Sequence, residues 1–219
     1  MDIENKIFTG DSIEFMRQLP HDSVDVIITD PPWPNGKADI FGKDDPWSLW
    51  SAACQEFPRL TGRLVVVLGC QSDVRFLANV PAELPFLRVC WLKYVPPRYK
   101  GPILDTADIA YVFGKPWLPG NGVRVMGGEC QETSIGFRPN GNPHPCYRPL
   151  AHMSWLVRNF SRTGQLIFDP FCGSGNILLA AAIHGRRWCG VEIEEKYADF
   201  ARAQLAGISP QERLAVGVD

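Results

Sequence analysis

The chain has no apolar run near the ~20 residues that a membrane-spanning helix needs, and its opening stretch, Met1 to Lys6, is polar rather than signal-like. Both absences predict a soluble, cytoplasmic protein. A C-x-x-C pair is also missing. The seven cysteines, at positions 54, 70, 90, 130, 146, 172 and 189, are odd in number, and several lie inside apolar runs. That pattern speaks for reduced thiols and against a disulfide framework or a metal site. There is no basic excess either: the net charge of −2 does not by itself mark a nucleic-acid binder. What is present is ordinary globular composition, 45% hydrophobic and 21% charged over 219 residues, enough for one sizeable core and predicting a single domain, 1–219.

Charge is unevenly distributed. Nine Lys or Arg face four acids between Trp91 and Arg162, while the rest of the chain carries the acidic surplus. Such a segment is either a phosphate-facing side or a solvated face.

The stretch Asp30-Pro31-Pro32-Trp33 organises the reading. It follows the apolar run Val24 to Thr29, interrupted only by Asp25, and so sits where a buried strand leaves its sheet, the end at which open α/β sheets bind ligands. Pro31 holds Asp30 extended, and neither proline has an N–H, so the backbone there offers carbonyl oxygens alone. An ionised Asp30 is likewise acceptor-only. A carboxylate and a stiff carbonyl beside an indole suit a planar ring bearing an exocyclic NH2 group, with Trp33 stacked on the ring. The same letters also fit a proline-stiffened loop whose Trp33 folds back onto the core.

Along the chain, strands alternate with helices. A strand at Lys6–Thr9 ends in Gly10-Asp11-Ser12, and Asp11 is either the N-cap of the next helix, a ligand-facing carboxylate, or both. A loop from Pro34 to Pro46, with Lys37 and Lys43, precedes a helix with Trp47, Trp50, Cys54 and Phe57 on one face. Arg63 to Cys70, apolar on both faces, reads as a strand in the middle of a parallel sheet. Strands at Phe86–Tyr94 and Ile109–Phe113 are joined by Val95 to Lys100, too proline-rich to belong to either. Residues Gly114 to Pro145 form an excursion with at most a short strand at Val123–Met126. Helix Leu150–Phe160 leads into a strand at Gln165–Phe168, the turn Asp169-Pro170-Phe171-Cys172-Gly173-Ser174-Gly175 and an Ala/Leu helix from Asn176.

Strand, glycine turn, helix is the layout that lets backbone N–H groups approach a ligand. Leu178 stands where G-x-G-x-x-G would need its third glycine, which weighs against a nicotinamide or flavin dinucleotide. A nucleoside cofactor without a pyrophosphate stays open. Glu192, near the end of the strand Arg187–Ile193, then takes the place of a ribose-binding acid.

Asp30-Pro31-Pro32-Trp33, followed late in the chain by Phe168 to Gly175, resembles the β-class amino-methyltransferases, which use S-adenosylmethionine. His144-Pro145-Cys146-Tyr147-Arg148-Pro149, the helix after it and the Gly164 turn resemble the segment upstream of that family's glycine motif. The similarity covers nearly the whole chain. Asn176 stands for the usual Thr and Arg148 for the usual Lys, and little chain remains for a separate target-recognition domain.

The resemblance implies a Rossmann-like class I methyltransferase sheet, mostly parallel with one antiparallel strand. It also implies a circular permutation in which Gln165–Phe168, Arg187–Ile193, Lys6–Thr9 and Val24–Thr29 are strands one to four. Asp11, Asp30, Asp169 and Glu192 should then share one sheet edge. It further implies S-adenosylmethionine bound by Asp11, Asp30, Asp169, Phe171, Gly173, Ser174, Gly175, Asn176 and Glu192, and catalysis by Asp30, Pro31, Pro32 and Trp33. The expected substrate is double-stranded DNA, methylated on adenine N6. The alternatives are cytosine N4, adenine in RNA, and a catalytically silent nucleic-acid-binding subunit. Contacts to the nucleic acid would come from Lys37, Lys43, Arg98, Tyr99 and Lys100, within loops 34–46, 95–100 and 114–145. Many family members are dimers, so a homodimer is part of the expectation.

Overall fold

The computed structural model describes residues 1–34, 45–69, 71–100, 103–115, 128–132 and 143–208. Eight strands make one sheet: β1 (Lys6–Thr9), β2 (Val26–Thr29), β3 (Arg63–Gly69), β4 (Phe86–Lys100), β5 (Ile103–Gly114), β6 (Glu129–Glu132), β7 (Leu166–Asp169) and β8 (Arg187–Glu192), in the order β1-β8-β7-β2-β3-β5-β4-β6. Every neighbouring pair is parallel except the two that involve β5. The sheet is therefore mostly parallel with one antiparallel strand, as expected. Among the described residues five α-helices cover it: α1 (Ser12–Gln18), α2 (Pro46–Leu60), α3 (Leu150–Phe160), α4 (Asn176–Ile183) and α5 (Glu195–Ala206).

Period-two alternation in β3 shows why both faces are covered. Leu64, Val66 and Leu68 point into one core with Met16, Trp50, Phe57 and Phe76, from α1, α2 and a 3₁₀ turn at Val74–Asn79. Val65 and Val67 point into a second, with Met153, Leu156 and Val157 of α3 and Ala180 and Ala181 of α4. Each fully buried branched side chain contributes about 1.5–3 kcal/mol, so this strand alone anchors helices on both sides.

Three expectations are corrected. The β3 strand is buried on both faces but is not inside the parallel region: it is parallel to β2 and antiparallel to β5, and so forms the seam between the two kinds of pairing. Val95 to Lys100 belongs to β4 rather than to a connector. The ladder breaks between Lys93 and Arg98, and pairing resumes with Arg98 opposite Asp105. Pro96 and Pro97 fall in that bulge, where no ladder N–H is required. Within the 114–145 excursion, Glu129–Glu132 pairs parallel with β4, held by Lys93 Nζ to Glu129 Oε2 at 2.7 Å and by burial of Cys130. The expected strand at 123–126, Lys37 and Lys43 lie outside the described residues.

Candidate active site

The ends of β1, β8, β7 and β2 lie side by side, with Thr9 in register with Glu192, Asp169 with Gly190 and Ile27 with Phe168. The sheet thus brings Asp11, Glu192, Asp169 and Asp30 in a row to one edge, the placement that the family resemblance implies. All four line one cleft of about 1080 Å³ counting its open mouth, shared with the Gly173 turn, Trp33, His144 and Tyr197.

Asp11 caps α1: its Oδ1 accepts the N–H groups of Ile13 at 2.7 Å and Glu14 at 2.9 Å. This leaves it at the cleft rim with acceptor capacity remaining, since a carboxylate offers about four lone-pair sites. Glu192 ties the glycine turn to its own strand end, accepting from Gly173 N at 2.8 Å and Glu194 N at 2.9 Å. Burial pushes its carboxyl above the ordinary range, against the pull of those N–H groups.

Gly173 and Gly175 both have left-handed backbones, with φ of +51° and +83°. A Cβ on Gly173 would sit 3.0 Å from the His144 imidazole, and one on Gly175 would sit 2.7 Å from Ala201 Cβ. The two glycines thus let His144 cover the turn and let α5 pack beneath it. Phe171 packs against the first core and lines the cleft, while the Ser174 carbonyl accepts from Gln204 Nε2 at 2.7 Å. Asn176 donates to the Arg148 carbonyl at 2.6 Å, and its buried Oδ1 has no hydrogen-bond partner among the described residues.

The missing third glycine of the turn has a structural counterpart. Close packing of the helix on the strand is what that glycine normally permits. Here the glycine is on the strand: a Cβ on Gly190 of β8 would collide with Leu178 and lie 3.0 Å from Cys172 Sγ.

Asp169 is buried, with its Oδ1 accepting from Thr29 Oγ1 at 2.8 Å and from Phe171 N at 3.1 Å. Burial outweighs these bonds, and with the neighbouring Asp30 and Glu192 charges pushes its carboxyl up to about 7. A carboxyl whose folded value lies above its ordinary 3.8 is bound to its proton more tightly when folded. Its contribution to stability is therefore present at acid pH and lost as pH rises towards 7. Asp169→Asn is expected to flatten the stability profile between pH 4 and 7 and to raise stability at pH 8 by on the order of 2–4 kcal/mol, less the cost of its unpaired amide. Urea unfolding of ligand-free protein at pH 5 and pH 8 measures this, and a variant as pH-sensitive as the parent would place the titration on another group.

Asp30 leaves β2 with both oxygens engaged by one guanidinium: Arg148 Nε to Oδ2 at 2.7 Å and Arg148 Nη2 to Oδ1 at 3.0 Å. Arg148 also reaches Asp108 Oδ2 of β5 through Nη1 at 2.7 Å, and Asp108, buried, accepts the Tyr94 hydroxyl. Burial works against the Arg148 charge, but Asp108 and Asp30 overcome it and hold the guanidinium protonated. Trp33 folds back, packing on the first core and donating Nε1 to Asp30 Oδ1 at 3.3 Å, with the Arg148 guanidinium 5.9 Å from its ring centre. Pro31 is buried behind Asp30, and both prolines line the cleft.

Arg148, Asp108, Tyr94 and His144 had no site role in the sequence reading. Asp108 did carry a signal, being a carboxylate within the apolar run Ala107-Asp108-Ile109-Ala110. The cleft thiol Cys172 is raised well above its ordinary value, by burial and then by the Asp169 and Glu192 charges, and burial pushes Cys189 up to about 12; neither is a thiolate. None of the six described cysteines is in a disulfide, and among the described residues no group of three or more His, Cys, Asp or Glu could hold a metal ion. No helix among them is long and apolar enough to cross a membrane. Arg98, Tyr99 and Lys100 lie on the outer part of β4, opposite Asp105, Leu104 and Ile103.

Residues 115–203 match the family described as DNA methylase. The chain is 28% identical over 223 residues, 93% of its length and 91% of the relative's, to YubD of Escherichia coli (strain K12), which is named as a methylase. It is 25% identical over 253 residues, 95% of this chain and 70% of the relative, to the type II methyltransferase M.HinfI of Haemophilus influenzae. In fold it is similar to the M1.HpyAVI–SAM complex, with a TM-score of 0.68, 19% identity and coverage of 91% and 98% of the two chains. The cytosine-N4-specific PvuII DNA methyltransferase gives 0.67, 16%, and 96% and 90%. These structural likenesses establish the fold.

Proposed function

We propose, for a chain whose residues 115–203 match the family described as DNA methylase, that it transfers a methyl group from S-adenosylmethionine to the exocyclic amine of a base in double-stranded DNA, adenine N6. The observation that carries this reading is the meeting, in one cleft, of the Asp30-Pro31-Pro32-Trp33 segment and the Gly173 turn. The strand order supports reading the chain as circularly permuted, with β7, β8, β1 and β2 as strands one to four.

The residues fit that cofactor. It is a cation at sulfur and at its amino group, and Asp11 and Glu192 line the cleft with acceptor capacity left over from their backbone N–H bonds. The buried, unpartnered Oδ1 of Asn176 is an acceptor suited to an ammonium donor. Asp11 would face the adenine, Glu192 the ribose, and Phe171, Gly173, Ser174, Gly175 and Asn176 the methionine portion, with Asp169 beneath the turn. When bound, the cofactor supplies an electrophilic methyl on sulfonium.

An exocyclic amine is a poor nucleophile because its lone pair is delocalised into the ring. Asp30 and the Pro31 carbonyl, by accepting its two hydrogens, favour a tetrahedral nitrogen whose lone pair points away from both and towards the methyl. Orientation and stabilisation of the developing ammonium supply the rate; the N–C bond forms as the methyl's bond to sulfur breaks to leave a thioether, and the ammonium then releases its extra proton to solvent. In duplex DNA that amine is paired inside the stack, so the base must be flipped out, and Trp33 is its stacking partner. Arg98, Tyr99 and Lys100 on β4 would contact the phosphate backbone, and Lys37 and Lys43 would add further phosphate contacts.

The test is nucleoside mass spectrometry of DNA incubated with the protein and isotopically labelled S-adenosylmethionine. N6-methyladenine is the expected product. N4-methylcytosine would overturn the choice of base and keep the reaction, and unlabelled DNA with bound cofactor would overturn the activity.

A further inference from the structure

A carboxylate that receives a target amine must keep a lone pair for it, and Asp30 is already crowded. Of its roughly four lone-pair positions, Oδ1 gives one to Arg148 Nη2 at 3.0 Å and one to Trp33 Nε1 at 3.3 Å. Oδ2 gives one to Arg148 Nε at 2.7 Å. Among the described residues, one position stays open, and it is on Oδ2.

We propose that Arg148 is the positioning residue of the transfer, fixing the Asp30 carboxylate so that Oδ2 alone presents an acceptor to the target amine. The inference rests on the reading of Asp30 as that acceptor. With the second amine hydrogen on the Pro31 carbonyl, the two acceptors then stand in a fixed relation, which is the condition for aiming a lone pair.

The surroundings of Arg148 are built for this task. Its side chain is only 11% exposed, its third donor nitrogen is held by Asp108, and Asp108 is held by Tyr94. The backbone of Arg148 is pinned from α4 by Asn176, at 2.6 Å. One planar group thus joins the end of β2, strands β4 and β5, and the first turn of the helix after the glycine turn. In this chain the guanidinium fixes what the lysine usual at this place would not: a planar fork binds Asp30 through two nitrogens while a third binds Asp108, whereas an ammonium is a point charge that does not impose a carboxylate's rotation. Two carboxylates against one guanidinium leave the node one negative charge, which the ammonium forming at the amine would neutralise.

The experiment compares Arg148→Lys, the double variant Arg148→Gln with Asp108→Asn, and Asp30→Ala as reference. Single-turnover methyl transfer, KM for DNA, S-adenosylmethionine affinity by calorimetry and thermal melting are measured for each. Both Arg148 variants should bind the cofactor and DNA within a few-fold of the parent while methyl transfer slows by about 10–100-fold, the cost of a misplaced group. The double variant removes one positive and one negative charge together, so the node keeps its single negative charge and hydrogen-bonding groups at 148 and 108, and it decides the matter if a lone lysine there fails to fold. An unchanged rate in a folded Arg148 variant overturns the proposal. A faster rate overturns it too, because the guanidinium would then be restraining Asp30 rather than aiming it. Full turnover by Asp30→Ala, by contrast, would remove the reading of Asp30 whatever the Arg148 variants do.

Discussion

Asp30→Ala is expected to lower single-turnover methyl transfer by on the order of 10³-fold, the scale on which enzymes lose rate when one preorganised polar partner is removed from a reacting centre. The substitution takes away the acceptor on Oδ2 and leaves the Pro31 carbonyl alone to orient the amine. It also frees half of the Arg148 fork. The guanidinium does not become an uncompensated buried charge, because Asp108 Oδ2 remains 2.7 Å from Nη1. The variant should therefore melt a few degrees lower yet stay folded, and bind S-adenosylmethionine with near-parental affinity. Methylation assays, calorimetry and melting curves on one preparation separate these effects. Turnover within a few-fold of the parent would refute the role given to this carboxylate.

Gly173→Val should abolish measurable cofactor binding, a loss of at least about 100-fold. A β-branched residue at φ +51° carries the left-handed penalty of about 1–2 kcal/mol and more for its branching. Its Cβ alone would already stand 3.0–3.3 Å from three atoms of the His144 ring. The turn can relieve this only by rotating, which draws the Gly173 N–H off Glu192, or by expelling His144 from its edge-on contact with Tyr197 at 4.7 Å. Either movement deforms the wall of the cleft. Gly164→Val is the matched control. Its φ of +79° imposes a similar backbone strain, but a Cβ there meets nothing within 4 Å. Calorimetry should show that Gly164→Val retains affinity while Gly173→Val loses it, and equal behaviour of the two would mean that strain rather than the cleft wall is being measured.

Much of this site was legible because its rules are local. Asp11 caps a helix through N–H groups two and three residues on, and the glycine turn lies wholly between β7 and α4. Strand ends with polar residues after apolar runs placed the four carboxylates, and a parallel sheet did the rest. The Arg148 node was not legible, since it joins positions 94, 108, 148 and 30, whose meeting depends on the antiparallel register of β3, β5 and β4. A sequence reading that treats Val95 to Lys100 as a connector also loses the continuity of β4. Proline there signalled a break in the ladder correctly, but the break is a bulge inside a strand. The β6 strand escaped because Glu129-Cys130-Gln131-Glu132 has no β-branched or aromatic residue, and its place is fixed by its neighbour.

The exchange of a helix glycine for Gly190 makes positions 178 and 190 a single compartment shared by two elements. The side chain of Leu178 fills space that a residue on β8 would otherwise claim, and it joins Ile7, Ala198, Ala201 and Leu205 in a third apolar cluster. α4 is apolar almost all round, packed at once against α3, α5 and strands β7 and β8 rather than along one stripe. The fold's requirement here is a total volume, not a residue identity. A chain of this architecture is free to place the bulk on the helix or on the strand, provided the other side gives it up, and a pattern written for the helix alone passes over half of the ways of building the same joint.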